Sequence, residues 1–333
     1  MKDLNYNYVV FNSIESKYKY NPNGYYTICM KDLQSEEQID CVNIPLDRMP
    51  LFFRVLYNIH HSVKINRLIR LPFKSIWYPI YHKVKFNNNK PICFVILERV
   101  PISYLEYLKN RYLGSKFVAL YRDLRKMTKD IYPDHPDNPI FDFQMTIDKF
   151  EARKYGYYHF DEFESKIDVP VSENYPLHDV FFAGKGKDRL ARLLEAYDIF
   201  TKAGLNVYYY LTHVAEEDRI SLPGVTYADG FMPYSEMLYH TVNSKCVLEI
   251  NQYQAVGYTS RFLEAIMFNK RLITDNIAVT ESKFYSPDNI LYISKMSDIN
   301  PSFVRNEKLV DYHYNEEFSP KHVIEKIDNI LSK

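Results

Sequence analysis

Several features that would place this chain of 333 residues in a familiar class are missing from its sequence. Lysine and arginine together number 42, as do aspartate and glutamate, so no overall charge favours nucleic acid as a partner. No uninterrupted apolar run is long enough to span a bilayer. The first residues, MKDLNYNYVVF, contain no apolar stretch of the kind found in secretory signals, so we expect a cytoplasmic location.

Cysteine is scarce and widely spaced. No CxxC pair occurs, which argues against a zinc site, and each of the four cysteines lies in an apolar segment. Buried free thiols in a reducing compartment are the better interpretation. The four are Cys29, Cys41, Cys93 and Cys246.

Residues 256–273, VGYTSRFLEAIMFNKRLI, predict a turn, a helix and a short buried strand. Thr259 or Ser260 can cap the helix, and Arg261 and Glu264 lie one turn apart near its start. A helix N-terminus suits a phosphate, and an acidic side chain can accept hydrogen bonds from ribose hydroxyls, so this is a candidate nucleotide site. The alternative is an ordinary amphipathic helix with an exposed Arg–Glu pair. The apolar stripe consists of Phe262, Leu263, Ile266 and Met267.

A second candidate segment begins with the apolar strand 179–184 and continues into the basic loop KGKDR at 185–189. A helical pattern over 190–200 and a strand over 207–211 complete a unit of the length expected for a parallel crossover. Two glycines and three cations at the carboxyl end of a strand indicate a diphosphate site, since open parallel sheets bind ligands at that edge. The loop matches neither the dinucleotide fingerprint, whose third glycine is absent, nor a Walker loop.

Together these segments resemble bacterial GT-B-type glycosyltransferases of surface-polysaccharide gene clusters. The resemblance covers 179–293 and rests on FFAGKGKDRL, LEINQYQAVGYTSRFLEAI, KRLITDN and KFYSPDNI. Those enzymes often carry FxGxxKxRL and then a Gln-x-Gly-x-Thr-x-Arg-x-x-Glu-Ala block, whereas here two residues separate Gln254 from Gly257. The matching positions are Gly184, Lys187, Arg189, Gln254, Gly257, Thr259, Arg261, Glu264 and Ala265.

The resemblance implies that a nucleotide-diphosphate sugar is held by the C-terminal domain, with Glu264 on the ribose. The expected activity is transfer of a hexose to a glycan or lipid-linked acceptor during synthesis of capsule, O-antigen or exopolysaccharide. UDP is the first candidate for the nucleotide, and galactopyranose and galactofuranose are candidates for the sugar. The expected donor-binding residues are Gly184, Lys185, Lys187, Arg189, Gln254, Gly257, Tyr258, Thr259, Arg261 and Glu264.

Two functions of other classes remain open. The chain could be a different nucleotide-binding enzyme, a dehydrogenase or an epimerase, although the absent GxGxxG counts against this. It could also be a non-catalytic adaptor that keeps the fold and docks on a membrane.

No metal ion or other cofactor is expected. Glycosyltransferases of the other main architecture neutralise the diphosphate with a metal held by an Asp-x-Asp motif, and none occurs in this sequence. Lys187, Arg189 and Arg261, together with helix N–H groups, could supply the positive charge instead. We therefore predict turnover without a divalent ion.

Strands and helices also alternate in the first half of the chain. Strands are predicted at 6–11, 25–30, 39–44, 92–97, 116–121 and 141–147, with helices at 104–112 and 149–155. Such alternation predicts an α/β protein of GT-B-like form, with two Rossmann-like doubly wound domains facing each other across a cleft. The expected limits are 1–160 for the acceptor-binding domain, 161–178 for a linker, 179–318 for the donor domain, and 319–333 for a C-terminal helix that crosses back.

Acidic residues at strand ends are the candidates for a general base. An inverting enzyme needs a group that takes the proton from the acceptor hydroxyl as it attacks the anomeric carbon. Asp123 and Asp148 follow predicted strands, and Asp123 is favoured because Arg122 beside it would hold it ionised. Alternatively Asp123 caps a loop or pairs with Arg125, and a retaining enzyme would need no such base.

One window of the first half is strongly one-sided in charge. No aspartate or glutamate occurs from 48 to 97, where cations alternate with aromatic residues, and 52–63 has the spacing of an amphipathic helix with a basic face. The window is a candidate contact for anionic lipid headgroups or a lipid-linked pyrophosphate acceptor at the inner face of the membrane. Pairing with acids elsewhere in the fold is the alternative. The patch consists of Arg54, His61, Lys64, Arg67, Arg70, Lys74 and Trp77.

Overall fold

The computed structural model describes residues 3–13, 24–43, 49–69, 71–78, 84–97, 100–126, 128, 135–252 and 257–333. Gln254 and Arg70 fall outside these ranges, as does the side chain of Arg67. The chain divides into two compact units. The first is Met1–Phe160 with Pro320–Lys333, and the second is Asp161–Ser319.

The first unit contains a parallel sheet of six described strands in the order β2-β1-β3-β4-β5-β6. Strand β3 is buried along nearly its whole length, as expected for a continuous apolar run with neighbours on both sides. The strands are β1 (Asn7–Ser13), β2 (Ile39–Asn43), β3 (Ile92–Ile96), β4 (Lys116–Tyr121), β5 (Phe143–Thr146) and β6 (Tyr158–His159). The helices are α1 (Tyr25–Ile28), α2 (Leu51–His61), α3 (Val63–Leu68), α4 (Ile102–Arg111) and α5 (Lys149–Tyr155).

The second unit is built around another parallel sheet, ordered β12-β11-β10-β7-β8-β9 among the described residues. Numbered within the unit, this is the 3-2-1-4-5-6 order of dinucleotide-binding folds read from its other edge, and chain direction across the sheet reverses between β7 and β10. The strands are β7 (His178–Lys185), β8 (Val207–Thr212), β9 (Val225–Ala228), β10 (Ser244–Glu249), β11 (Arg271–Thr274) and β12 (Ile290–Tyr292). The helices are α6 (Leu190–Lys202), α7 (Tyr234–Val242), α8 (Ser260–Met267) and α9 (Pro301–Arg305).

The C-terminal helix α10 (Pro320–Leu331) belongs to the first unit. Its Asp328 is buried and accepts hydrogen bonds from Tyr8 Oη at 2.8 Å and from the Asn5 backbone N–H at 2.9 Å. Lys321 forms an ion pair with Glu36 at 2.7 Å. Helix α10 is therefore hydrogen-bonded to the residues at the start of strand β1.

Two segments differ from the sequence-based expectations. Residues 25–30 form helix α1 and a turn in place of a strand, because a short apolar run does not distinguish a buried helix from a strand. The expected linker 161–178 belongs to the second unit. There Asn243 Nδ2 donates to the carbonyl oxygens of Ser172 and Tyr175 at 2.7 and 2.6 Å. Backbone carbonyl groups of 161–178 are thus hydrogen-bonded to a side chain of the second unit.

The predicted fold class of two doubly wound, Rossmann-like domains is confirmed by the two parallel sheets and their crossover helices. Cys29, Cys93 and Cys246 are buried thiols, and Cys41 is a half-buried one. Within the described ranges, no helix combines the length and the apolarity that crossing a bilayer requires.

Candidate functional site

A cavity of about 370 Å³ opens at the carboxyl edge of the second sheet. It lies where β7, β8 and β10 end and α8 begins, at the point where the strand order reverses. Doubly wound sheets bind their ligands at this point because loops diverge there and leave a crevice. The cavity is lined by Phe182, Ala183, Gly184, Lys185, Arg189, Tyr210, Thr212, Phe231, Met232, Met237, Glu249, Asn251, Gln252, Thr259, Ser260 and Arg261.

Arg189 is held against the end of β7. Its Nε donates to the Lys185 carbonyl oxygen at 2.7 Å, and Nη1 donates to the Ile250 carbonyl oxygen at 2.5 Å. The guanidinium stacks on the Phe182 ring with 4.9 Å to the ring centroid. A Cβ at Gly184 would lie 2.6 Å from Nη2 of Arg189, so a larger residue there would have to displace the guanidinium from the strand.

The two lysines of the loop after β7 differ in whether they line the cavity. A Cβ at Gly186 would lie 2.5 Å from Val214, so the loop turns closely over the end of β8. Lys185 lines the cavity, with its ammonium 5.4 Å from the centroid of the Phe231 ring. Lys187 is exposed and does not contribute to the lining.

Two guanidinium groups share this cavity. Burial lowers the pKa of Arg189 to about 10, and the positive charge of Arg261 is a further cause. Like charges held close together in a partly dry site repel each other and favour an anion between them. The site is therefore prepared for negative charge.

Helix α8 presents its first residues to the cavity. The Thr259 hydroxyl caps the helix by accepting the Phe262 backbone N–H at 3.4 Å, so of the two caps considered, Thr259 is the one used. Phe262, Leu263 and Ile266 are completely buried, which fixes the helix on the sheet. Thr259, Ser260 and Arg261 consequently face the crevice at the end of the helix that carries partial positive charge.

Glu264 occupies a different position from the one expected. Its expected position is on the ribose, but its side chain is completely buried and absent from the lining of the cavity. It accepts hydrogen bonds from Tyr234 Oη at 3.0 Å and from Arg261. Burial raises the pKa of the Glu264 carboxyl, and the Arg261 guanidinium offsets part of that rise. Glu264 thus fixes Arg261 from beneath, because three residues after Arg261 the helix has turned towards the core.

Glu249 is a site residue that the sequence analysis missed. It ends β10, lines the cavity, and accepts hydrogen bonds from Thr259 and, at 2.5 Å, from Thr274. Burial raises the pKa of its carboxyl, while these hydroxyl donors oppose the shift. Its position at the end of an apolar strand, two residues before Asn251, is the signal that could have identified it.

The loop after β10 is anchored from its neighbours. The Asn251 backbone N–H donates to Asp275 at 2.8 Å, and Arg192 Nη1 donates to the same carboxylate at 2.6 Å. Arg192 Nη2 also donates to the Asn251 carbonyl oxygen at 2.6 Å. Arg192 and Asp275 therefore hold one wall of the cavity without lining it.

Part of the lining is apolar and aromatic. Tyr210, Phe231, Met232 and Met237 contribute to it, and Tyr210 Oη donates to the Gly230 carbonyl oxygen at 2.9 Å. A cavity lined by both cations and planar or flexible apolar groups suits molecules that carry both charge and a ring.

The structure brings about half of the expected donor residues together. Gly184, Lys185, Arg189, Thr259 and Arg261 line one cavity. Lys187, Gly257, Tyr258 and Glu264 lie outside its lining, and Gln254 lies outside the described residues.

The two candidate bases follow strands β4 and β5, and their surroundings differ. Asp148 is the N-cap of α5, and its carboxylate accepts the Glu151 backbone N–H at 2.5 Å, so it acts as a helix cap. Asp123 is exposed at the end of β4. Arg122 donates to Tyr25 Oη, and the Arg125 guanidinium pairs with Asp137.

The proposed basic patch contains packed residues as well as exposed ones. Trp77 is buried, and its indole N–H donates to His60 Nδ1 at 2.8 Å, so it supports the helices instead of facing outward. His61 stacks on Tyr57 with ring centroids 4.2 Å apart. Lys64 is exposed, while Arg54 and Lys74 are half-buried. The apolar side chains exposed in the same region are Leu51, Phe52, Phe53, Val55, Leu56, Ile59, Leu68, Ile69, Phe73 and Ile76.

The described part of the chain contains no group of three or more histidine, cysteine, aspartate or glutamate side chains placed to hold a metal ion. The prediction of metal-independent turnover remains a prediction.

No protein-family model matches this chain, and no curated protein matches it. Among solved structures, TarM is 11% identical with a TM-score of 0.50, and the match covers 73% of this chain and 55% of TarM, about half its length. The N-terminal domain of Candida albicans trehalose-6-phosphate phosphatase is 7% identical, with 91% and 90% covered and a TM-score of 0.50. S. aureus MnaA, in a co-structure with UDP, is 11% identical, with 98% and 96% covered and a TM-score of 0.47. At such identities the likeness concerns the fold, which is GT-B-like.

Proposed function

We propose that this protein is a glycosyltransferase that binds a nucleotide-diphosphate sugar, UDP-linked as the first candidate, in the cavity of its second unit. The observation that carries the proposal is the convergence of Lys185, Arg189 and Arg261 at the point where the strand order reverses, beside the start of α8. The family resemblance of 179–293 supports the choice of a sugar nucleotide over other anions. Synthesis of a surface polysaccharide is the setting that this resemblance favours.

The charges of the cavity suit a diphosphate. Guanidinium groups donate paired hydrogen bonds to phosphate oxygens, and such charge-assisted bonds are about twice as strong as neutral ones. A diphosphate between Arg189 and Arg261 would also remove the repulsion that contributes to the lowered pKa of Arg189. The backbone N–H groups at the start of α8 would add donors at no cost in side-chain order.

The remaining lining suits the sugar and the base. Tyr210 and Phe231 offer flat surfaces to a planar base. Glu249, Asn251 and Gln252 offer oxygen and nitrogen atoms to hydroxyl groups near the ends of the strands. In this arrangement the ribose contact expected of Glu264 would come from a lining residue such as Glu249.

The reaction would proceed by attack of an acceptor hydroxyl on the anomeric carbon. The new glycosidic bond forms as the bond between that carbon and the diphosphate oxygen breaks, and the hydroxyl proton passes to a base. Asp123 remains the candidate for that base in an inverting reaction, while Asp148 is already occupied as a helix cap. Lys185, Arg189 and Arg261 would stabilise the negative charge on the departing diphosphate.

A ligand panel tests the proposal directly. The melting temperature of the full chain would be measured with UDP, GDP, ADP, CMP and NAD at equal concentrations, since a ligand that binds only the folded state raises it. We expect selective stabilisation by one nucleoside diphosphate. Stabilisation by NAD alone would show that the protein is a different kind of nucleotide enzyme.

Two lysines near the same loop give a matched pair for this test. Lys185→Ala removes a cation from the cavity and should weaken binding of the nucleoside diphosphate by roughly tenfold. Lys187→Ala removes an exposed cation two residues away and should change the Kd less than about twofold. Equal effects of the two substitutions, measured by calorimetry, would place the diphosphate elsewhere.

Products separate a transferase from an epimerase. Incubation with the preferred UDP-sugar and a panel of glycan and lipid-linked acceptors should give a glycosylated acceptor and free UDP. Formation of an epimeric UDP-sugar without acceptor would assign the cavity to epimerisation.

A further inference from the structure

The first unit exposes an unusual amount of large apolar surface in one short stretch. About half of the exposed large apolar side chains among the described residues lie between positions 51 and 76. Soluble proteins expose single apolar side chains freely, but a contiguous apolar surface marks a site of interaction. On helix α2 the exposed side chains are Leu51, Phe52, Phe53, Val55, Leu56 and Ile59.

The apolar side of α2 is held outward by packing on its other side. Tyr57 is buried and meets Trp77 edge-on, with ring centroids 5.4 Å apart. His60 accepts the Trp77 indole N–H at 2.8 Å and contacts the Pro72 carbonyl oxygen at 2.6 Å. These contacts fix the rotation of the helix, so Phe52, 68% exposed, and Ile59, 45% exposed, face away from the unit.

The charged side chains along this stretch of the sequence have one sign. No aspartate or glutamate occurs between 49 and 97, whereas Arg54, Lys64 and Lys74 lie within or just beyond helices α2 and α3. An apolar stripe flanked by cations is the pattern of helices that lie in a membrane interface, with apolar side chains among the acyl chains and cations at the headgroups.

We propose that helices α2 and α3, with Ile69 and residues 71–76, form a docking face for an anionic lipid bilayer. Phe52, Phe53 and Ile59 enter the headgroup boundary, and Arg54 and Lys64 contact the anionic headgroups. This inference does not depend on the cavity of the second unit, so the two proposals can be tested independently. If the proposed function also holds, the face would bring the enzyme to a lipid-linked acceptor.

Other occupants fit the face less well. A second copy of the chain would bring the same cations against each other in a symmetric interface, where like charges oppose association. A nucleic acid would satisfy the cations but offers little to match so many aliphatic and aromatic side chains. A bilayer provides both an apolar layer and negative charge at the required depths.

Vesicle sedimentation tests the inference on the full-length protein. Binding would be compared between vesicles of phosphatidylcholine alone and vesicles that also contain about one-third phosphatidylglycerol. We expect binding to the anionic vesicles at least tenfold stronger than to the neutral ones. Equal binding to both, or binding to neither, would overturn the proposal.

A matched pair of variants assigns the binding to this face. Phe52→Ser with Ile59→Ser should weaken the partition into anionic vesicles by roughly tenfold or more, because exposed apolar side chains are removed at no cost to the core. Leu177→Ser with Leu309→Ser changes side chains of the second unit that are 70% and 86% exposed and should leave the partition unchanged. Equal loss in both variants, or no loss in the first, would refute the assignment.

Two further experiments test the role of charge and the possibility of self-association. Lys64→Glu should weaken binding to anionic vesicles severalfold while the melting temperature stays the same. Sedimentation velocity would show whether the wild type is a dimer that Phe52→Ser with Ile59→Ser dissociates. A dimer of that kind without vesicle binding would make the face an interface between copies and overturn the lipid proposal.

Discussion

Helix α2 in the first unit and helix α8 in the second both carry an apolar stripe at helical spacing. On α8, Phe262, Leu263 and Ile266 are completely buried against the sheet. On α2, Phe52 and Ile59 are 68% and 45% exposed. The comparison shows that an apolar stripe predicts a helix and its apolar side, whereas neighbouring elements decide whether the core covers that side.

The polar residues of the two helices differ in the same way. On α8 the acidic Glu264 points into the core and holds Arg261 at the cavity, so a polar pair is part of the packing. On α2 the inward position belongs to Tyr57, and the cation Arg54 has no acidic residue within its own helix. One helix therefore contributes a cation to the lining of a cavity, and the other leaves its apolar side exposed.

The largest expected effect tests burial itself. Phe262→Ala should lower the free energy of unfolding by about 3–5 kcal/mol, because it leaves a cavity in a closely packed core. Phe52→Ala should change it by no more than about 0.5 kcal/mol. Thermal melts followed by circular dichroism would measure both, and similar melting temperatures for the two variants would contradict the contrast between the helices.

A second test concerns the buried pair on α8. Glu264→Ala should cost about 3 kcal/mol, because Arg261 and Tyr234 lose a buried partner. Glu264→Gln should cost less because it keeps the shape and can still accept the Tyr234 hydrogen bond. Arg54→Ala on α2 serves as the control, with an expected change within about 0.5 kcal/mol. Urea unfolding would rank the three, and a smaller loss in Glu264→Ala than in Arg54→Ala would be inconsistent with a buried pair.

Acid should weaken the unit that contains α8. Burial lowers the pKa of His178, and it lowers that of His240 to about 4, with the nearby His178 as a further cause. The unfolded chain therefore binds more protons than the folded one below about pH 6.5, so stability is present above that pH and is lost as the pH falls towards 4. The loss by pH 5 should be on the order of 1 kcal/mol.

His240→Phe provides the control for that titration. The ring lies among Phe181, Tyr208 and Tyr175, so phenylalanine can occupy the site without a charge. The variant should show a flatter dependence of melting temperature on pH between 7 and 5. An unchanged slope would assign the acid sensitivity to other groups.

The helix start gives a smaller effect. Thr259→Ala removes the cap of α8 and a hydrogen bond to Glu249, and should cost about 1 kcal/mol. Thr259→Ser keeps both groups and should be close to neutral. Helix α2 begins after Pro50 and has no side-chain cap. No corresponding substitution in α2 can therefore remove a capping hydrogen bond. Equal melting of the alanine and serine variants would show that the cap is unimportant.

Removal of divalent ions should have no effect. If cations beside α8 neutralise the diphosphate, UDP binding and sugar transfer should be the same with and without EDTA. Loss of activity in EDTA and its recovery with magnesium or manganese would contradict this expectation.

Local sequence determined most of the elements. The apolar runs at 92–97 and 116–121, the helix over 149–155 and the strand–loop–helix unit after 179 are confirmed, because strand and helix periodicities are written in neighbouring residues. The glycine and lysine pattern at 184–187 and the threonine before α8 also pointed to the edge of the second sheet at which the cavity lies.

Tertiary structure decided what those elements face. Only the three-dimensional packing turned Glu264 into the core, brought Glu249 into the cavity and left the apolar side of α2 uncovered. The physical reason is that periodicity fixes directions within one element, whereas burial depends on elements distant in sequence. Arg189 and Arg261 are 72 positions apart in the chain and share one cavity because the strand order reverses between them.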